Sequence, residues 1–224
     1  MTSMPSRRTF LGLAGAGTLA AAAGGTPLFA AERAGQGYAP VTDKWDMTWV
    51  ERVKGRHRGV FDSPELAGGM ALFRAVMWQD QMKEVYGVER PDASAVLVLR
   101  HTAIPLVMND EFWSRFAIGR AMKVKGPHGR WATANPIRVS PPGTPAKWAS
   151  YNLESFVAGG GTVLGCGVAF EEIAARFVQR DKLSPEDAAK AAREHMLPGV
   201  VLQPSGVFAV MAAQEAGCNY ILAS

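Results

Sequence analysis

The sequence is poor in the residues that build metal sites. Of its 224 residues, two are cysteines and four are histidines. It contains no Cys-x-x-Cys, no His-x-x-x-His and no carboxylate cluster, so the three or four ligands that zinc or copper requires are missing as a motif. We therefore predict no metal site and no cofactor.

Signatures of common enzyme classes are also absent. There is no Gly-x-Ser-x-Gly elbow and no spaced carboxylate pair of the kind that hydrolases use. The triple glycine at 159–161 lacks the lysine of a phosphate-binding loop. What remains is an ordinary composition, 48% hydrophobic and 20% charged, which excludes disorder and collagen and has enough apolar material for one good core.

Two arginines near the N-terminus precede an apolar stretch. Arg7 and Arg8 are followed by the mild apolar residues 11–23 and then by small residues up to Ala31. This order is that of a twin-arginine export signal, and the stretch is shorter than the ~20 apolar residues that span a bilayer. We predict removal of residues 1–31 by cleavage near Ala30 or Ala31. An uncleaved interfacial anchor is the alternative.

Loss of this signal peptide changes the charge balance. Arg7 and Arg8 are the only charged residues before Glu32, so the formal charge falls from +4 to +2. That surplus is too small to indicate nucleic acid as a partner. We expect a periplasmic protein that meets the twin-arginine export machinery during translocation and has no stable membrane insertion afterwards.

Beyond the signal, the chain alternates strand-like and helix-like segments. Residues 32–55 are predicted to form an arm that packs through tryptophans and has little regular structure. Residues 56–224 are predicted to form one domain, with a long surface loop in the Pro/Gly-rich stretch at 123–147. Short apolar runs indicate buried strands at 57–62, 94–99, 162–166, 200–203 and 220–222.

Helical spacing fills the intervals between these runs. For the first helix we expect Ser63 as the N-cap, Pro64 at the first helical position and a stop at Gly87. Gly68 and Gly69 are placed inside that helix, where they permit close packing. Five strands separated by helices predict an α/β fold, in which a parallel sheet is covered on both faces.

In such sheets the ligand crevice lies beyond the carboxyl ends of the strands. This rule selects a short set of candidates that follow the predicted strands. They are Asp62, His101, Cys166 with Gly167, and Gln203 to Ser205.

The two cysteines fall at opposite edges of the predicted sheet. A five-residue strand is roughly 17 Å long, whereas a disulfide needs Cα atoms within about 7 Å, so we do not expect a bond between Cys166 and Cys218. Cys218 is interpreted as a small core residue. Cys166 lies where backbone N–H groups and a helix dipole favour a thiolate. The alternative is a buried cysteine in a tight Gly-Cys-Gly turn.

His101 is the predicted companion of Cys166. An imidazole at a neighbouring strand end can stabilise a thiolate or share a metal. A turn residue bonded to backbone is the alternative for His101. For Asp62 the alternative is a helix-entry role, because Asp-Ser-Pro is a good helix start without any chemistry.

Several segments together resemble a DsrE-like domain. They are VLGCGVA at 163–169, MLPGVVLQPSGV at 196–207, QEAGCNYI at 214–221 and AVLVLRHTAIP at 95–105. The resemblance covers about residues 56–223 and implies a three-layer α/β/α domain with a parallel five-stranded sheet that forms homo-oligomers. Sulfur-relay members carry a persulfide on a cysteine at the end of the middle strand, and Cys166 falls on that position.

Three functions remain open. In the first, Cys166 accepts and passes sulfane sulfur or undergoes reversible oxidation, tuned by His101 and backbone amides, with a protein as sulfur donor or acceptor. In the second, the chain is a non-catalytic small-ligand, metal-binding or assembly module. In the third, it is a subunit of an exported redox complex. Asp62, Gly167, Gln203 and Ser205 are the predicted binding residues.

Overall fold

A computed structural model describes residues 42–126 and 129–224, which all belong to one compact unit, Gly37–Ser224. Its centre is a five-stranded sheet with the order β4-β3-β2-β1-β5. The strands are β1 (His57–Ser63), β2 (Ala93–Leu99), β3 (Thr162–Cys166), β4 (Val200–Gln203) and β5 (Asn219–Leu222). Every neighbouring pair is parallel, which confirms the predicted α/β fold. The predicted signal, with Arg7, Arg8, Ala30 and Ala31, lies outside the described residues.

Helices separate the strands along the chain and cover both faces of the sheet, giving three layers. They are α1 (Met70–Tyr86), α2 (Asp110–Arg115), α3 (Ile118–Ala121), α4 (Leu153–Ala158), α5 (Gly167–Asp181), α6 (Pro185–Glu194) and α7 (Gly206–Glu215). Shorter 3-10 helices lie at Thr48–Arg52, Ala67–Gly69, Arg90–Asp92, His101–Val107 and Ala146–Trp148. None of the helices in the described ranges is long and apolar enough to cross a membrane.

Local sequence signals explain several helix ends. The side chains of Asn109, Ser184 and Ser205 each accept a hydrogen bond from a backbone N–H in the first turn of α2, α6 and α7. Gly87 ends α1 in the left-handed conformation, with φ of 66°. These caps fix where the helices begin and end relative to the sheet.

The predicted start of the first helix is wrong. Ser63 is the last residue of β1, and its hydroxyl donates to the carbonyl of Glu65 at 2.9 Å instead of capping a helix. Pro64 consequently lies in the connection and not at a first helical position. Gly68 and Gly69 have φ of 62° and 82°, so they interrupt the predicted helix, and α1 begins only after them.

The sheet separates two cores of unequal size. The larger core lies between the sheet and α1 to α6, and the smaller one lies between the sheet, α7 and the arm. Residues alternate between the two faces along each strand, as expected for a sheet that is covered on both sides. Large buried side chains of the larger core include Phe61, Leu97, Phe112, Trp113, Phe156 and Phe177. The smaller core includes Trp49, Val53, Val60, Val96, Val98 and Leu164.

Candidate functional site

Strand register brings one group of residues to the carboxyl edge of the sheet. Cys166, the last residue of β3, pairs with Gln203, the last residue of β4. On the other side, Leu99 pairs with Gly165, so Arg100 follows β2 at the level of Cys166. The predicted residues Cys166 and Gln203 are therefore neighbours, and Arg100 joins them.

Cys166 ends β3 and caps α5. Its backbone is extended, with φ of −73° and ψ of 115°, and its Sγ accepts a hydrogen bond from the N–H of Ala169 at 3.4 Å. The side chain is buried, with 7% of the residue exposed. The thiol is thus held against the backbone amides at the start of a 15-residue helix, where the helix dipole favours negative charge.

Cys218 has a different environment from Cys166. Both cysteines are free and buried, but Cys218 comes just before β5, at the amino edge of the sheet, within the smaller core. Burial raises the pKa of the Cys218 thiol from 9.0 to about 11, against a smaller opposing effect of Arg58. This protonated, enclosed thiol fits the predicted role of a core residue.

Arg100 is fixed by a buried carboxylate. Its Nε donates to Asp62 Oδ1 at 2.7 Å and its Nη2 donates to Asp62 Oδ2 at 2.9 Å. The hydroxyl of Tyr220 donates to the same Oδ2 at 3.0 Å. Asp62 is 2% exposed, so this pairing satisfies a carboxylate that would otherwise be costly to bury.

The charges at this edge interact with one another. The hydrogen bonds to Asp62 are the main cause of the raised pKa of Arg100, and Cys166 makes a smaller contribution in the same direction. Burial, followed by the hydrogen bond to Asp62, raises the pKa of Tyr220. The guanidinium therefore stays charged at any physiological pH.

Two of the predicted binding residues, Ser205 and Gly167, lie at the starts of α7 and α5. Ser205 caps α7, with its Oγ accepting from the N–H of Phe208 at 3.1 Å. Gly167 allows close packing, because a Cβ at this position would lie 2.7 Å from the carbonyl oxygen of Gln203. Gly206 plays a similar part, since a Cβ there would lie 2.4 Å from the Cβ of Arg100. The glycines let the backbone and the Arg100 stem come together at this edge.

Gln203 connects the sheet to the arm. It is completely buried, and its Nε2 donates to the backbone carbonyls of Asp46 at 2.9 Å and Leu202 at 3.0 Å. Its Oε1 has no hydrogen-bond partner among the described residues. The ring of Trp45 lies against the neighbouring turn, with its Cη2 3.1 Å from the position of a Cβ on Gly167.

His101 does not take the place that the sequence predicted for it. It begins the 3-10 helix His101–Val107 with φ of 48°, and its residue is exposed. In the described part of the chain, its ring makes no hydrogen bond or ion pair. The residue that follows β2 at the level of Cys166 is instead Arg100, the residue before His101.

The described residues show no cluster of metal ligands at this edge. Within residues 42–126 and 129–224, no three His, Cys, Asp or Glu side chains come together as metal ligands. A shallow apolar cavity of about 260 Å³ lies elsewhere, beside the residues that precede β3 and β4. It is lined by Leu153, Glu154, Val157, Ala158, Leu197 and Pro198.

Sequence reasoning missed Arg100, Tyr220 and the arm as parts of this site. Arg100 directly follows a buried strand, which was a usable signal, because the first residue past a strand keeps the direction of the strand side chains. Tyr220 was hidden, because its contact with Asp62 depends on β5 lying beside β1. Nothing in the sequence fixes that strand order.

Comparison with known proteins does not assign a function to these residues. No family model matches the chain, and no curated protein or solved structure gives a significant match. The resemblance to DsrE-like domains therefore remains a prediction from the sequence, and the chemistry of the site is argued from the residues themselves.

Proposed function

We propose that the protein accepts sulfane sulfur on Cys166 and passes it on as a persulfide. The observation that carries the proposal is the position of the Cys166 thiol. Its sulfur caps α5 and accepts a backbone N–H, and Arg100 follows the neighbouring strand at the same level. Amides at a helix N-terminus favour the thiolate, which is the nucleophilic form of cysteine.

The reaction requires no cofactor. The Cys166 thiolate attacks the outer sulfur of a donor persulfide, R–S–SH, so that a new S–S bond forms on Cys166. The S–S bond of the donor breaks, and the donor leaves as the thiolate R–S⁻. Electrons and atoms balance within this exchange, and transfer to an acceptor thiolate is the same step in reverse.

The residues around Cys166 have separate tasks in this proposal. The N–H of Ala169 donates directly to the sulfur and supports the negative charge that returns after transfer. Asp62 orients Arg100 and also offsets part of its charge, so that the guanidinium acts as a nearby dipole and not as an isolated cation. His101 is assigned no role, since its residue is exposed and its ring makes no hydrogen bond or ion pair within the described residues.

The remaining expectations from the sequence belong to the same proposal. The protein is exported by the twin-arginine route, acts in the periplasm, self-associates, and exchanges sulfur with a donor or acceptor protein. The Arg7-Arg8 signal and the resemblance at Cys166 support these statements.

Mass spectrometry of the mature protein tests the proposal. Protein from the periplasmic fraction is incubated with a low-molecular-weight persulfide, and the sulfur bound to each cysteine peptide is measured. We expect one reducible extra sulfur on the Cys166 peptide of the wild type and of Cys218→Ala, and none in Cys166→Ala. The intact mass of the same sample reports the mature N-terminus.

Two results would contradict the proposal. One is extra sulfur on Cys218 that is independent of Cys166. The other is an unmodified Cys166 that nevertheless reacts with an alkylating reagent, which would favour the non-catalytic binding module. That alternative gains its support from the burial of Cys166, which is 7% exposed.

A further inference from the structure

The burial of Cys166 raises the question of how a sulfur donor reaches it. A thiolate must meet the donor sulfur directly for exchange to occur, yet the Cys166 residue is 7% exposed. The groups that lie over the following turn therefore decide which reagents gain access. The described part of the arm, residues 42–55, supplies one of these groups, the ring of Trp45.

Two tryptophans of the arm, Trp49 and Trp45, are buried to different extents in the domain. Trp49 is completely buried in the smaller core, together with Val53. Trp45 is only partly buried, lies against Gly167 and carries the Lys44 ammonium 5.4 Å from its ring centroid. Trp49 is therefore the anchor, and Trp45 is a cover at the edge of the site.

A side-chain hydrogen bond from the sheet holds the arm next to the cover. Gln203 Nε2 donates to the carbonyl of Asp46 at 2.9 Å. The side chain of Asp46 instead bonds locally, to the N–H and hydroxyl of Thr48 at 2.8 and 2.7 Å, so it adds no second tie to the sheet.

The same attachment contains unsatisfied polar atoms. Trp49 Nε1 and Gln203 Oε1 are the two buried side-chain atoms without a hydrogen-bond partner in the residues that the structure describes. Each such atom lowers the stability of the closed arm, because it loses its hydrogen bonds to water without gaining a partner. Trp49 is the anchor, and Gln203 is the residue that binds Asp46. The closed position of the arm is therefore less stable than its apolar contacts alone would make it.

We propose that the segment Trp45–Asp46 is an openable cover over the Cys166–Gly167 turn and restricts which sulfur donors reach the thiol. The inference rests on the proposed function at Cys166. Opening breaks the Trp45–Gly167 contact and the Gln203–Asp46 hydrogen bond, while Trp49 keeps the arm attached. A small donor enters through brief openings, whereas a protein donor has to displace the cover.

The rate of Cys166 alkylation tests this cover. The protein is treated with a maleimide of low molecular weight and with a bulky polymer-linked maleimide, and labelling of each cysteine is followed by peptide mass spectrometry. We expect Trp45→Ala to speed labelling of Cys166 roughly tenfold, as for a loss of about 1.4 kcal/mol from the closed state. The increase should be larger for the bulky reagent, and Trp45→Phe should give a smaller increase than Trp45→Ala.

The chain offers matched controls. Trp148 is another partly buried tryptophan with a preceding lysine over its ring, at 5.0 Å, but it packs on Phe73 and Tyr151. Trp148→Ala should leave the Cys166 rate unchanged. Slow labelling of Cys218 in every variant shows that the domain remains folded. Gln203→Met removes the tie to Asp46 without burying a charge, and should also speed labelling of Cys166.

The outcomes separate the cover from the sulfur chemistry. Equal Cys166 rates in the wild type, Trp45→Ala and Gln203→Met would overturn the cover, even if persulfide forms on Cys166. Faster alkylation in both variants, with no persulfide formed in either, would support the cover and reject the proposed function.

Discussion

Arg100 shows how a charged side chain becomes part of a buried edge. Its Nε and Nη2 bind both oxygens of Asp62, and Tyr220 adds a third donor to that carboxylate. Removal of Arg100 would leave the Asp62 carboxylate buried without its cation, which is far more costly than losing a surface pair. The two hydrogen bonds to Asp62 therefore fix the orientation of the guanidinium at this edge.

The choice between Arg100 and His101 could not be made from residue type alone. The sequence pointed to the carboxyl end of β2, and the structure places Arg100 there. The residue directly after the strand keeps the extended backbone, with φ of −137° and ψ of 171°, so its side chain still points from the sheet face. His101 has already turned to positive φ, which sends the chain into the next helix. The change in backbone direction between Arg100 and His101 therefore leaves Arg100 at the site and His101 exposed.

Cys218 provides a pH-dependent prediction. Burial raises its pKa from 9.0 to about 11. Between these two pH values the thiol is protonated in the folded protein and ionised in the unfolded chain. The free energy of unfolding is fully retained below pH 9 and falls as the pH rises towards 11. The loss amounts to at most about 2.7 kcal/mol. Cys218→Ala should remove this part of the loss.

Urea unfolding of both proteins, below pH 9 and near pH 11, measures this effect. Lysine and tyrosine titrations occur in both proteins, so they cancel when the two losses of stability are compared. The stability cost of the smaller side chain is the same at both pH values and also cancels. If the wild type and Cys218→Ala lose the same stability over this range, the raised pKa of Cys218 is rejected.

At the scale of elements, the strands were more predictable than the connections. Continuous apolar runs identify a doubly covered strand directly, and all five predicted runs overlap the observed strands. The start of α1 was not predictable in the same way, because β1 continues through Ser63 by pairing with Leu99. Gly69 also lies against a distant residue, Ile137, which only the folded chain brings near.

Residues 135–138, within the Pro/Gly-rich stretch at 123–147, illustrate a connection with fixed structure. Asn135 is buried, and its Nδ2 donates to the carbonyls of Leu106 at 2.8 Å and Met108 at 2.7 Å. Its Oδ1 accepts from the N–H of Ile137 at 3.1 Å. Next to it, Arg138 binds the carboxylates of Asp110 and Glu154. This part of the connection is held as firmly as a regular element.

Asn135→Ala should therefore destabilise the domain and loosen this connection. The substitution leaves two buried carbonyls and one N–H without their partner, with an expected cost of roughly 3 kcal/mol. Urea unfolding measures the loss, and limited proteolysis should cut between residues 129 and 152 faster than in the wild type.

Ser140→Ala is the matched control for Asn135→Ala. Ser140 lies in the same connection but is only partly buried, and its hydroxyl donates to the carbonyl of Ala149 at 2.9 Å. The hydroxyl also accepts from Asn152 Nδ2 at 3.1 Å, but that amide keeps its second bond, to the Ala149 carbonyl at 2.8 Å, when Ser140 is replaced. We expect a cost below about 1 kcal/mol. An equal effect of the two substitutions would show that Asn135 does not anchor the connection.

At the scale of the whole molecule, the two faces of the sheet are covered unequally. One face carries α1 to α6, whereas α7 and the arm cover the other. α7 has no charged residue before Glu215, so it is apolar around its circumference. A helix of that kind is normally buried on all sides, yet several of its side chains and two from the edge strand β5 are exposed. They are Val207, Phe208, Met211, Tyr220 and Leu222.

These exposed side chains make α7 and β5 the expected contact between copies of the chain. A second copy would cover the outer side of α7, and the short, uncharged edge strand β5 lies beside it without the charges that usually protect an edge. Self-association is also what the resemblance to DsrE-like domains implies. Burial in this way would bring two carboxyl edges, and therefore two Cys166 sites, into one assembly.

Met211→Glu should dissociate that assembly. An ionised carboxylate on the outer side of α7 cannot be buried against a second copy without a large desolvation cost, whereas in the monomer it stays in water. We expect light scattering after size-exclusion chromatography to give a multimeric mass for the wild type and a monomeric mass for the variant. Val85→Glu, at an exposed valine near the end of α1, should keep the wild-type mass. A monomeric wild type, or a multimeric Met211→Glu, would show that copies of this chain do not associate through α7.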